Sequence, residues 1–296
     1  MRFCCRLALL FFVRRRFIDG LNHLPTNGPV LLAANHPNSF FDAVVIGAYL
    51  RRPIHTLTRA DVFKKPLAAL FLRGINLIPV FRVSEGGRAN LSNNDQTFEE
   101  CQAIFKNNGV VVIFAEGICL NQTQLLPLKK GAARIAQRAW ADPEIGDKLI
   151  VIPTGLWYNS FRDAPKDVAL RLAKPILKQD FGEFDERVMR VFNDQLTTEL
   201  GKLVEPPVGY KTRKTAKRPW IQTVAGGYFY EICRRYAQKL TARTVFYDAV
   251  LFGMLLFLYP IYVLLASTLV GLWLGWVGFF VAFGGVLAAG YWVAKT

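Results

Sequence analysis

His36 and Asp42 lie in the run NHPNSFFD, directly after the apolar stretch VLLAA. An imidazole can take a proton from a hydroxyl near neutral pH, and a carboxylate on its other ring nitrogen fixes the tautomer that does so. On one continuous helix the two side chains, six positions apart, would face away from each other, so they meet only across a turn. Pro37, Asn38 and Ser39 favour such a turn, and Pro37 keeps His36 out of the α region. Taken by itself the pair suits a structural turn as well as a general base. His23 and His55 have no partner visible in the sequence. Cys4, Cys5, Cys101, Cys119 and Cys233 are odd in number, without a C-x-x-C pair or histidines at zinc-ligand spacing, so neither a disulfide framework nor a metal site is expected.

Functional residues of α/β sheets gather just beyond the carboxyl ends of strands. Short β-branched runs over 30–34, 76–80, 110–114 and 149–154 predict buried strands. Helical stretches over about 41–50, 61–73, 97–107 and 130–140 alternate with them, and another follows over 185–203. This alternation predicts an α/β domain over 21–205, a largely parallel sheet flanked by helices, with His36 at the end of its first strand.

The chain has 296 residues, and its 37 Lys and Arg against 22 Asp and Glu give +15, so an anionic partner is expected: nucleic acid, acidic lipid or a phosphorylated substrate. No nucleic-acid-binding motif accompanies the charge, which excludes that partner. Residues 249–294 carry no charge and would extend about 69 Å as a helix, roughly twice a hydrocarbon core. A two-helix transmembrane hairpin is therefore expected, broken near Ser267 and Thr268, with Gly271 and Gly275 allowing close approach. A re-entrant hairpin that does not cross is the other reading. Lys239, Arg243 and Lys295 flank the stretch and put both ends, and the domain before them, on the cytoplasmic side. Residues 206–222 read as a basic linker, with Lys211, Arg213, Lys214, Lys217 and Arg218 suited to an anionic leaflet, and 223–296 as a juxtamembrane helix and the hairpin. Residues 1–20 are expected to form an amphipathic interfacial helix, with Arg14, Arg15 and Arg16 reaching lipid phosphates. A first core helix with a solvated basic end is the plainer alternative.

NHPNSFFD closely resembles the first signature block of the glycerolipid acyltransferase family, and three more blocks follow in that family's order. GINLIPVFR, ending at Arg82, resembles the second, FAEGICLNQTQLLPLKKGAARIA the third, and VIPTGLWY around Pro153 the fourth. The resemblance implies that His36 deprotonates an acceptor hydroxyl for attack on a thioester, with Asp42 orienting and stabilising the imidazole. It also implies that Arg82 grips the acceptor phosphate through two parallel hydrogen bonds. Glu116 and Gly117 would belong to the acceptor pocket, Glu116 bonding a hydroxyl or bracing the loop. Lys129 and Lys130, opening the next helix, would favour an anion there. Asn35 and Pro153 are motif-supporting residues.

Two departures bear on the substrate. The block has five residues between His36 and Asp42 where four are commonest, and Cys119 stands where an arginine is usual two places after Glu-Gly. The expected activity is a membrane-bound O-acyl transfer from acyl-CoA or acyl carrier protein, with no metal or resident cofactor. The first acceptor is 1-acylglycerol-3-phosphate, giving phosphatidate for phospholipid biosynthesis. Glycerol 3-phosphate or a lyso-aminolipid is the alternative acceptor. A non-catalytic lipid-binding scaffold and a Cys119-dependent lipid hydrolase are the readings from other classes.

Overall fold

The computed structural model describes residues 2–81, 94–181, 185–212, 228–242 and 244–295. Among these, seven strands form one sheet: β1 (Val13–Asp19), β2 (Val30–Ala34), β3 (His55–Arg59), β4 (Leu77–Val80), β5 (Val110–Phe114), β6 (Ile150–Tyr158) and β7 (Lys166–Leu172). Their order is β1-β7-β6-β2-β5-β3-β4. Every neighbouring pair is parallel except β6 and β7. β2 lies at the centre and is buried along its whole length, which is why its sequence is uninterrupted VLLAA and not an alternating pattern. Val30 pairs with Val110 on one side and Ile150 on the other. That register brings Ala34, Phe114 and Thr154 level, so the loops after β2 and β5 emerge side by side.

The helices are α1 (Arg2–Phe12), α2 (Ser39–Tyr49), α3 (Pro66–Gly74), α4 (Asn94–Lys106), α5 (Gly131–Ala141), α6 (Glu186–Leu203), α7 (Tyr228–Leu240) and α8 (Tyr247–Lys295). One sheet face packs against α1, α2 and α8 through Phe12, Phe41, Val45, Tyr247 and Phe252. The other packs against α4, α5 and α6 through Phe105, Trp140, Phe192 and Leu196. The helix expected over 61–73 is a 3-10 turn, Ala60–Phe63, followed by α3, because Pro66 fits only the first turn of a helix.

The N-terminal segment differs from expectation. No separate interfacial segment spans 1–20: α1 ends at Phe12, its Leu9 and Phe12 enter the core, and residues 13–19 form the edge strand β1, parallel to β7. The arginines do not all face lipid. Arg14 Nε and Nη2 donate to the two carboxylate oxygens of Asp167 on β7, at 3.0 and 3.1 Å, and Arg15 pairs with the same carboxylate. The domain thus begins before residue 21.

The membrane segment is also corrected. Two spans broken at Ser267 and Thr268 are replaced by one apolar helical run, α8, the one helix among the described residues long and apolar enough to cross a membrane. Ser267 and Thr268 donate to the carbonyls of Val263 and Leu264, one turn back, at 2.7 and 2.8 Å, so the helix passes through them. The run bends instead at Gly275, whose φ of 69° and ψ of −167° lie in a region open to glycine. Tyr259 Oη donates to the Val286 carbonyl across this bend at 2.9 Å, a pair that an unbent helix would hold about 40 Å apart.

Candidate active site

Asn35 continues β2 with its side chain. Its Nδ2 donates to the Leu156 carbonyl at 2.9 Å and its Oδ1 accepts from the Leu156 amide at 2.7 Å, as a neighbouring strand would. The backbone is thereby fixed up to His36. Pro153, buried on β6, pairs with Ala33, and its carbonyl accepts from the Ala173 amide at 2.9 Å. Pro37 and Asn38 turn the chain, and α2 starts at Ser39.

Across that turn His36 Nδ1 meets Asp42 Oδ2 at 2.9 Å. The Asn38 amide donates to the same oxygen at 2.8 Å, and Tyr158 Oη donates to Oδ1 at 2.7 Å. Asp42 is fully buried, and three donors satisfy its two oxygens. Burial first, and then the Asp42 charge, push the Tyr158 hydroxyl well above its ordinary pKa, so it stays a neutral donor. The imidazole lies flat on Phe114, with ring centroids 3.9 Å apart and planes at 14°. With Nδ1 committed to Asp42, Nε2 has no partner among the described residues. That is the arrangement of a base aimed at an incoming hydroxyl.

Glu116 braces the loop from β5. Its Oε1 accepts from the His36 amide at 2.7 Å and its Oε2 from the Leu126 amide at 3.2 Å. Both oxygens are engaged by backbone, the bracing arrangement of the two expected for Glu116: the carboxylate ties the loop after β2 to the loop after β5. Burial pushes its carboxyl pKa up, with the two amides pulling the other way. Gly117 follows with φ 69°, and a Cβ there would come within 2.9 Å of Lys129 Cγ, so the position needs glycine and lies under the lysine stem. Lys129 and Lys130 are exposed, Lys130 as the N-cap of α5, and neither side chain makes a hydrogen bond among the described residues. Cys119 Sγ accepts from the Ser39 amide at 3.0 Å. It holds the turn between His36 and Asp42, at the position where the resemblance implied a phosphate-binding arginine.

The structure therefore brings together His36, Asp42, Asn35, Glu116 and Gly117. Arg82 and residues 213–218 lie outside the described residues. Sequence reasoning missed Tyr158, although it ends the fourth block, because nothing local marks one aromatic residue at a strand end as a partner for Asp42. It also missed Asn38 as a donor to Asp42.

Residues 15–157 match the family model described as Acyltransferase. Lysophosphatidylcholine acyltransferase 1 from Rattus norvegicus and the protein of the same name from Mus musculus are each 31% identical over 118 residues, 39% of this chain and 20% of theirs. The chain thus spans about a fifth of the length of these curated relatives. The solved structure of the 1-acyl-sn-glycerophosphate (LPA) acyltransferase PlsC from Thermotoga maritima superposes with a TM-score of 0.48 and 17% identity, covering 67% of this chain and 74% of that one. The region matched to the Acyltransferase model spans the blocks that carry His36, Asp42 and Glu116, so over these residues the chain is similar to known acyltransferases.

Proposed function

We propose that the protein is a membrane-bound O-acyltransferase that moves a fatty acyl group from acyl-CoA or acyl carrier protein to a glycerolipid hydroxyl. The observation that carries this reading is the His36 Nδ1–Asp42 bond with Nε2 left open. Nε2 takes the acceptor's hydroxyl proton as its oxygen attacks the thioester carbonyl. The new C–O bond forms, the C–S bond breaks, and the imidazolium returns the proton to the leaving thiolate. Asp42 stabilises the charge that His36 carries between the two transfers. No acyl-enzyme is needed, because the loops hold both substrates at one base.

The acceptor proposed first is 1-acylglycerol-3-phosphate, with phosphatidate as product, Arg82 on its phosphate, and Lys129 and Lys130 adding charge at the rim. One observation favours a second reading: Cys119 bonds the Ser39 amide where an arginine would serve phosphate. Glycerol 3-phosphate, a lyso-aminolipid or a lysophosphatidylcholine, the last named by the curated relatives, then becomes the acceptor.

α8 supports a bilayer location. Trp273 and Trp276, at the Gly275 bend, are 90% and 81% exposed, apolar rings suited to a lipid interface. From Tyr247 to the bend the run is long enough to cross a hydrocarbon core about 30 Å thick. Lys239 and Arg243, just before α8 in the sequence, favour the cytoplasmic side for the α/β domain, residues 206–222 acting as its basic tether.

The test is a matrix of donors (acyl-CoA, acyl carrier protein) and acceptors (lysophosphatidate, glycerol 3-phosphate, lysophosphatidylcholine, a lyso-aminolipid), run on wild type and His36→Ala in detergent. Wild type should acylate one acceptor, lysophosphatidate first, and His36→Ala should lose about 10³-fold in kcat/KM. Undiminished transfer by His36→Ala would remove the general base and with it the mechanism. Intact cellular function in that variant would support a scaffold.

A further inference from the structure

The first turn of α8 lies directly behind the catalytic loop. Asn38 Nδ2 donates to Asp248 Oδ2 at 2.6 Å, joining residues 210 positions apart. Lys166 Nζ, at the start of β7, bonds the same oxygen and also donates to the Ser160 carbonyl at 2.8 Å. The Lys166 and Asp248 side chains are both fully buried. A buried ion pair gives up hydration on both sides, and well-packed apolar residues of similar volume often hold a fold as well or better. What an apolar pair cannot do is accept a hydrogen bond from Asn38.

The backbone that Asn38 anchors is strained. Ser39 has φ 51°, a left-handed conformation that costs a non-glycine residue about 1–3 kcal/mol and persists only where the surroundings over-determine it. Here they do so from two sides: Asp248 holds the Asn38 side chain, and Cys119 Sγ holds the Ser39 amide. Between these anchors the Asn38 amide donates to Asp42 Oδ2, the oxygen that steers His36.

We propose that Asp248 is a positioning residue for acyl transfer. As the acceptor for Asn38 it holds the strained turn that sets Asp42 against His36, so the seating of the membrane helix and the reactive geometry of the active site are one state. Asp248 touches no substrate and acts through Asn38, while Lys166 supplies the counter-charge that allows a carboxylate in that position. The inference rests on the reading of His36 as general base.

Two doubly substituted full-length proteins test it, Lys166→Met/Asp248→Asn and Lys166→Met/Asp248→Leu. Both lack the buried ion pair, and the first retains an amide oxygen where Asn38 needs an acceptor. The Leu double should melt below the Asn double, because it leaves the buried Asn38 side-chain amide without an acceptor, and kcat is compared at a temperature where both are folded. The Asn double should keep kcat within about threefold of wild type and the Leu double should lose about 100-fold, with KM for donor and acceptor unchanged in both. Equal kcat in the two doubles overturns the proposal. Asn38→Leu in an otherwise unaltered chain removes the donor and leaves the ion pair intact. The same loss of kcat is expected there, and full kcat overturns the proposal even if the Leu double does not fold.

A readout free of turnover separates this inference from the proposed activity. In protein carrying ¹⁵N-labelled histidine, the downfield Nδ1 proton of His36 should persist in the Asn double and vanish in the Leu double. Its persistence in both means that Asp248 does not position His36. If wild type transfers no acyl group at all, the general-base reading fails, while the resonance still decides the role of Asp248.

Discussion

Asp42 accepts from His36, Asn38 and Tyr158 with no exposure to solvent, so each donor is hard to replace. Water cannot stand in for a lost partner at a site this buried, and an unsatisfied carboxylate oxygen carries its full desolvation penalty. Tyr158→Phe keeps the ring and its packing against Phe41 and leaves Oδ1 bare. That variant is expected to be less stable by about 1–3 kcal/mol, read as a lower urea midpoint, and to lose kcat while KM holds. Glu116 offers a second residue-scale check. Its two oxygens accept from two backbone amides, and a carboxamide has only one acceptor oxygen. In Glu116→Gln one of the His36 and Leu126 amides therefore faces an NH2 group. The expected result is a drop in kcat, with a folded protein by circular dichroism; unchanged kcat would mean that the brace between the two loops does not matter.

At the scale of elements, the edge strand β1 shows how charge can stand in for apolar pattern. Asp167 on β7 accepts from Arg14, Arg15 and Tyr210. Burial acts to raise its carboxyl pKa, but the bonds from Arg15, Arg14 and Tyr210 prevail and hold it at about 2, against an ordinary 3.8. A carboxyl depressed in the folded state binds its proton more tightly when unfolded. Its stabilisation is therefore present above about pH 4 and is lost as pH falls toward 2. The effect is about 2 kcal/mol at most, because Arg15 is 32% exposed and partly screened by water. Urea midpoints measured from pH 5 downward should fall more steeply for wild type than for Asp167→Asn, which starts less stable with Arg14 left unpaired. The same strand explains what the sequence hides. VRRRFID reads as the basic flank of an interfacial helix, because the carboxylate that makes it a strand arrives from a residue more than 150 positions away. The central strands were legible because burial on both faces demands unbroken apolar runs, as in VLLAA and VVVIF. His36 and Asp42 were legible because their turn is local. Tyr158 and Asp248 reach the site only through tertiary packing, which no local spacing encodes. The Gly275 bend was displaced in the sequence reading because two hydroxyl residues look like a helix break, yet their side chains bond carbonyls of the preceding turn and let the helix continue.

For the whole molecule, the question is which surface meets the bilayer around the site. Two consecutive right-handed crossovers that move the same way across a parallel sheet put their helices on the same face. The step from β2 to β3 carries α2 and the step from β3 to β4 carries α3, both toward the β4 edge, so α3 shares the face that also bears α1 and α8. α3 buries none of its residues. Leu67, Leu70 and Phe71, spaced as one helical stripe, are 83%, 73% and 58% exposed, and the exposed Lys64 and Lys65 immediately precede the helix. An apolar stripe edged by lysines fits an anionic lipid surface, where the rings and chains insert and the ammonium groups meet phosphates. Leu67→Ser/Leu70→Ser/Phe71→Ser removes that stripe without opening a cavity, so the thermal midpoint should stay within about 2 °C, as surface substitutions normally leave stability within ±0.5 kcal/mol. With a short-chain, water-soluble acceptor and donor the variant should turn over like wild type. With the acceptor embedded in anionic vesicles its rate should fall several-fold, and the fall should shrink as the vesicles are made zwitterionic or as salt is raised. Equal losses on soluble and vesicle-borne acceptors would assign α3 to the fold instead of the membrane. Unchanged rates on both would leave α8 as the membrane contact that matters for turnover.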